Sequence, residues 1–178
     1  MKKLLLFSAL IASAFFANAQ STTYKAFKVD LDLGYAGPSS GTATTGAAFA
    51  IEPQYRLSDD FALGFRFEGA ALIYKTSEGK NKGSLLSSYC ATGDYYLSKS
   101  GFRPFIGAGA GFFQQQSVAG NNGNVNLVPG ATNFGFFPRI GFEAGHFRMS
   151  ADYDIAGNNA NYFAVAIGVF FGGGTKSK

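Results

Sequence analysis

Few residues of this 178-residue chain carry the types that chemistry needs, and their scarcity narrows what it can do. It has one Cys, Cys90, and one His, His146. A lone thiol excludes an intramolecular disulfide and a four-thiolate metal site, and a lone imidazole excludes a multi-histidine zinc centre, so no metal or other cofactor is expected. A hydrolase would need a Ser or His nucleophile system, and no Ser-His-acid spacing surrounds His146, which falls in a short turn segment. The chain is therefore expected not to be an enzyme. Cys90 reads as a small inward-facing residue. The glycines of GAGAG, Gly107 to Gly111, lack the full dinucleotide fingerprint and lie inside an extended segment, so a phosphate cradle is not expected there.

Charge is the remaining resource, and its placement matters more than its amount. Only 15% of residues are charged, while 47% are apolar and 16% aromatic, with 24 Gly, 20 Phe and 9 Tyr. That composition argues against disorder, yet beyond residue 20 no apolar run approaches the roughly 18 residues of a membrane helix. Residues 1–19 have the order of a secretory signal peptide: Lys2 and Lys3, an apolar stretch from Leu4, then Ala17-Asn18-Ala19. Without Lys2 and Lys3 the formal charge falls from +4 to 13 basic against 11 acidic residues, which weakens any nucleic-acid reading. Residues 20–178 are expected to form one domain.

From Tyr24 onward one unit repeats: about ten residues alternating with period two, then a connection rich in Gly, Ser, Asn or Asp. In KAFKVDLDLGY, Phe27, Val29, Leu31, Leu33 and Tyr35 share one face, while Lys28, Asp30, Asp32 and Gly34 share the other. Eight such segments follow the same rule, giving an all-β chain of eight strands. Thirteen charged residues fall inside them, all on the small or polar face: Lys28, Asp30, Asp32, Glu52, Arg56, Arg66, Glu68, Asp94, Arg139, Glu143, Arg148, Asp152 and Asp154. Asp59, Arg103 and the other charges of the mature chain are assigned to turns, strand ends and tails.

Two arguments turn the apolar face outward. An eight-stranded barrel is only just wide enough for its own side chains, too narrow to enclose Phe27, Phe49, Phe65, Phe67, Phe134, Phe136, Phe142 and Phe163 together. The other face mixes Gly and Ala with charges of both signs, as a narrow polar lumen requires. The connections mostly alternate in length: ten residues from Ala36, three from Ser58, eight from Thr76, four from Ser98, nineteen from Gln114 to Thr132, three from Ala144 and four from Gly157. Alternation gathers the short turns at one end of an up-and-down barrel and most long loops at the other. Tyr55, Phe61, Tyr95, Phe102, Phe147 and Phe171, near the short turns, are expected to form an interfacial girdle. The fold expected is an eight-stranded antiparallel up-and-down transmembrane β-barrel.

With its leader, eight segments, RPFIGAGAGF stretch (Arg103 to Phe112) and aromatic strand end at Phe170 and Phe171, the chain resembles the small eight-stranded outer-membrane barrels of the OmpA-like and OmpX-like family. Its leader end, Asn18-Ala19-Gln20, is similar to those of Bacteroidota secreted proteins. One departure is that GGGTKSK, Gly172 to Lys178, continues past the terminal aromatic that barrel assembly reads. The resemblance implies a location in the outer membrane, a structural or surface-interaction role, and a buried ion-pair network drawn from Glu52, Arg66, Glu68, Arg139, Glu143, Arg148 and Asp152. It also implies outer-membrane lipid, lipopolysaccharide and the barrel-assembly machinery as partners. The Gln114 to Thr132 loop, rich in amides, is a candidate for an extracellular ligand. The competing reading is a narrow channel or carrier for small ions or apolar solutes.

Overall fold

The structure, a computed structural model, describes residues 23–39, 43–75, 81–99, 101–121, 124–157 and 161–176, so the expected leader lies outside it. Eight strands run β1 Phe27–Pro38, β2 Ala43–Arg56, β3 Phe61–Lys75, β4 Asn81–Tyr96, β5 Phe102–Asn121, β6 Asn124–Ala144, β7 Phe147–Asp154 and β8 Tyr162–Gly172. Each pairs antiparallel with the next, and β1 closes on β8 from Lys28↔Gly172 to Pro38↔Tyr162. Closure leaves no sheet edge unpaired, the one arrangement that satisfies every strand's backbone without a covering layer. No helix among the described residues is long and apolar enough to cross a membrane, which says nothing about strands.

The period-two pattern maps directly onto the two faces. Outward residues include Phe134 at 68% and Leu33 at 65% exposure, whereas Lys28, Asp30, Arg56 and Asp94, on the opposite parity, are at 0%. All thirteen charged residues assigned to the polar face are buried inside the barrel. The six aromatics expected near the short turns are outward and exposed.

At one end lie the tight connections: residues 57–60, where Ser58 Oγ accepts from the Asp60 and Phe61 amides, the link from β4 to β5, and Gly145-His146, whose glycine takes a φ of 62°. The other end departs from expectation. Gln114 to Thr132 is not a loop: β5 and β6 continue through it, from Gln114↔Thr132 past a register shift to Gln116↔Pro129 and on to Asn121↔Asn124. Backbone pairing needs no apolar side chains, and beyond the apolar belt neither face of the hairpin has to be greasy. The hydrophobic alternation therefore ends before the strands do. Asn122-Gly123, an Asn-Gly pair between flanking extended residues, was the sequence sign of a hairpin here.

The tail past Phe171 also has structure. Gly172 and Gly173 take φ of 77° and 60°, turning the chain back so that Thr175 bridges Tyr24. The Lys25 amide donates to the Gly174 carbonyl at 2.8 Å and the Lys176 amide to that of Thr23 at 2.9 Å. The two ends of the described chain thus form a short ribbon at the tight-turn end of the barrel.

Candidate functional site: the ion-paired interior

Register decides which charges meet. On the inward face, Asp94, Gly107, Arg139 and Asp152 stand in one row across β4, β5, β6 and β7. Gly107 has no side chain, so Arg139 reaches over it and its Nε lies 2.7 Å from Asp94 Oδ1. A Cβ on Gly107 would strike Asp94 Oδ1 and stand 3.1 Å from Arg139 Cγ. The guanidinium also grips Glu52 with both terminal nitrogens, at 2.6 and 2.7 Å, the bidentate geometry that makes such pairs strong. Glu52 Oε1 accepts in addition from Thr92 Oγ1 and from Gln54 Nε2, and Gln54 Nε2 also reaches Asp94. Arg148 NH2 closes the set on Asp94 Oδ2 at 3.0 Å.

A second centre forms around Glu143. Register places Arg103 and Arg148 directly beside it on β5 and β7, and Lys28 and Arg56 reach it from β1 and β2. Oε1 takes Lys28 Nζ, the Tyr96 hydroxyl at 2.7 Å and Arg148 NH1 at 3.0 Å, while Oε2 takes Arg56 NH2 at 3.0 Å and faces Arg103 NH1 at 3.5 Å. Four cations share one carboxylate. Lys28 and Arg148 find further anions in Asp30 and Asp94, at 3.0 Å in each case. Aromatic faces supply the rest: Arg103 lies 4.0 Å from the ring centroids of both Tyr24 and Tyr96, and Arg148 lies 4.1 Å from that of Phe105.

Towards the hairpin end the balance reverses. Arg66 pairs with Glu68 and, at 3.3 Å, with Asp152, and Glu68 also accepts from the Tyr162 hydroxyl. Asp154 is buried here as well, so one guanidinium faces three carboxylates, while Asp32, across Gly168 from Arg148, lies nearer that arginine. The interior is thus polarised along its axis, cationic near the tight turns and acidic near the hairpins.

All seven residues expected in a network are inside: Glu52, Arg139, Arg148 and Glu143 are joined, because Arg148 bonds both Asp94 and Glu143, while Arg66, Glu68 and Asp152 form a separate set. Arg103 corrects the sequence assignment: placed at a strand end, it is 3% exposed, because the inward parity of Phe105 and Gly107 extends back to the second residue of β5. Asp59, assigned to a turn, does sit in one but is largely buried and accepts from the Thr23 amide and hydroxyl at 3.0 Å each. Tyr96 was not singled out, although it has the inward parity of Asp94; its ring and hydroxyl tie Arg103 to Glu143. Cys90 is buried with Leu86, Phe113 and Phe137 in an apolar layer of the interior. His146 is exposed at the β6–β7 turn. Its Nδ1 donates to the Phe170 carbonyl at 2.8 Å, and its ring leans on that of Phe170.

No family profile and no curated relative matches the chain. Solved structures do. Neisserial surface protein A superposes with a TM-score of 0.68 at 18% identity, covering 82% of this chain and 96% of that one. OprG, an outer membrane protein from Pseudomonas aeruginosa, gives 0.56 at 12% identity over 86% and 100% of the two chains. The Yersinia pestis outer membrane protein Ail in a phospholipid nanodisc gives 0.56 at 11% identity over 81% and 99%. At these identities what is shared is the fold: a closed, eight-stranded, all-antiparallel β-barrel of the kind found in small outer-membrane proteins.

Proposed function

We propose that this chain is an integral outer-membrane barrel of the OmpA-like and OmpX-like kind, from a Gram-negative and by its leader a Bacteroidota cell, with a structural or surface-interaction role. The observation that carries the reading is the exterior. Large apolar side chains from all eight strands stand exposed around the barrel, far more than the few hundred Å² of contiguous apolar surface that a soluble monomer tolerates. A bilayer is the solvent that accepts such a belt. A charge near the midplane of that face would cost roughly 2–4 kcal/mol, and every strand charge whose side chain is described is turned inward. Neighbouring folds from outer-membrane proteins support the same location.

On this reading lipid and lipopolysaccharide surround the belt, the barrel-assembly machinery inserts it, and the long β5–β6 hairpin faces outside the cell. There the Gln114 to Thr132 segment, rich in amides by sequence and paired as a ribbon rather than a loose loop, is the candidate for an extracellular ligand. Outer-membrane fractionation with a heat-modifiability gel tests the proposal. The protein should partition with the outer membrane and migrate differently before and after boiling. Recovery as a soluble periplasmic monomer without detergent would overturn it.

A further inference from the structure

The tight-turn end of the barrel contains a half-enclosed cavity of about 280 Å³ that neither the apolar belt nor the closed interior explains. Its walls include Arg56, Arg103, Lys99 and His146, together with Tyr24 and Glu143. We infer that this cavity binds a small oxyanion, a phosphate or carboxylate group, held by Arg56 and Arg103.

Three observations converge on it. First, these two guanidiniums are incompletely used. Arg56 gives NH1 to the Gly173 carbonyl and NH2 to Glu143, and its buried Nε has no hydrogen-bond partner. Arg103 gives NH2 to the Asp59 carbonyl and Nε to that of Ser98, and its buried NH1 has none either, only the 3.5 Å ion contact with Glu143. Both arginines, 0% and 3% exposed, line one cavity, and each keeps one guanidinium nitrogen without a hydrogen-bond partner. An unmade hydrogen bond from a buried charged group is expensive, and an anion with several acceptor oxygens would satisfy both.

Second, local charge is unbalanced. Arg56 and Arg103 share a single carboxylate oxygen, Glu143 Oε2, and the other oxygen already serves Lys28, Tyr96 and Arg148. Of the nearby acids, Asp60 holds Lys99 at 2.9 Å, and Asp59, which accepts from the Thr23 amide and hydroxyl, is the one further carboxylate beside Arg103. Third, the two guanidiniums are held side by side, since both lie against the rings of Tyr24 and Tyr96. The aromatic faces fix their planes before any ligand arrives. Exposed Lys99 and His146 stand at the rim, where the Lys99 ammonium adds positive charge to the entrance.

The same oxyanion chemistry is offered by a free solute and by a phospholipid headgroup, and one experiment separates them. The full mature protein, folded in a neutral glycoside detergent, is titrated with inorganic phosphate and with acetate at constant ionic strength, following arginine side-chain and His146 NMR signals. A parallel sample is placed in nanodiscs with and without phosphatidylglycerol. Saturable shifts of the Arg56 and Arg103 signals in detergent identify a free anion, whereas shifts that need phosphatidylglycerol identify a headgroup. Arg103→Gln should weaken binding at least tenfold while leaving heat-modifiable migration intact. If that variant does not fold, Lys99→Gln combined with His146→Gln, both at exposed positions, should weaken it at least threefold. No saturation with any probe, equal shifts with chloride, or undiminished binding in folded Arg103→Gln would overturn the site.

Discussion

Glu143 concentrates more of the interior's electrostatics than any other carboxylate, because Lys28, Arg56, Arg103 and Arg148 all converge on it. Buried pairs repay their desolvation only when both partners remain. Glu143→Gln keeps the shape but leaves four cations facing a neutral amide, so it should destabilise the barrel by about 3–5 kcal/mol. Urea unfolding in phospholipid vesicles measures this, and a loss near zero would mean that the four cations have other anions within reach. Gly107 and Ala108 give a sharper test at neighbouring positions of opposite parity. Gly107→Leu drives a side chain into Asp94, Arg139 and the Gly93 carbonyl and should cost about 1–3 kcal/mol. Ala108→Leu points into a shallow outward hollow beside Leu63 and Phe136 and should be neutral or mildly stabilising in the same assay. Equal losses at both positions would contradict the assigned faces. The sequence made this parity legible because one face of each strand meets a different solvent from the other. It did not reveal which acid meets which base, since that depends on register around a closed sheet: Asp94 and Arg139 are 45 residues apart and meet only because Gly107 stands between them.

Strand bounds were legible only as far as the apolar belt extends. The alternation that marks β5 stops near Phe113, yet its pairing with β6 continues to Asn121, and its pairing with β4 as far as Gly83↔Val118. From Ala119 to Asn126 the hairpin pairs only with itself. Replacing residues 119–126 by an Asn-Gly turn should therefore leave heat-modifiable migration and urea stability unchanged. If the outer ribbon carries a surface interaction, the same deletion should remove it from whole cells that still display the barrel. Loss of folding on this deletion would show that the hairpin nucleates the sheet rather than projecting from it. The tail was unreadable for a different reason. Gly172 to Thr175 has no hydrophobic period, and its structure comes from two positive-φ glycines and from pairing with residues 23–25 at the opposite end of the chain.

For the molecule as a whole, the decisive question is whether its polar axis conducts. Six cationic and eight acidic side chains lie inside the strands, which would suit an ion path if water separated them. They are not separated. Arg139, Glu52, Asp94 and Arg148 form one hydrogen-bonded set, and Phe105, Phe113, Phe137, Tyr96 and Tyr162, all at 2% exposure or less, occupy the remaining interior. An ion crossing this section would have to part a bidentate pair and displace packed rings at once, and an eight-stranded barrel has no spare width to accommodate the displaced groups. The purified protein in planar bilayers should accordingly show no stable openings. Arg139→Ala removes the central guanidinium and leaves Glu52 and Asp94 short of a partner, so brief cation-selective events should appear where the intact protein is silent. Steady ohmic conductance in the unmodified protein, altered in selectivity by Arg139→Ala, would replace the closed interior with the narrow-channel reading. The axial asymmetry then predicts its direction: cations would enter most readily from the hairpin end, where Glu68, Asp152 and Asp154 surround Arg66.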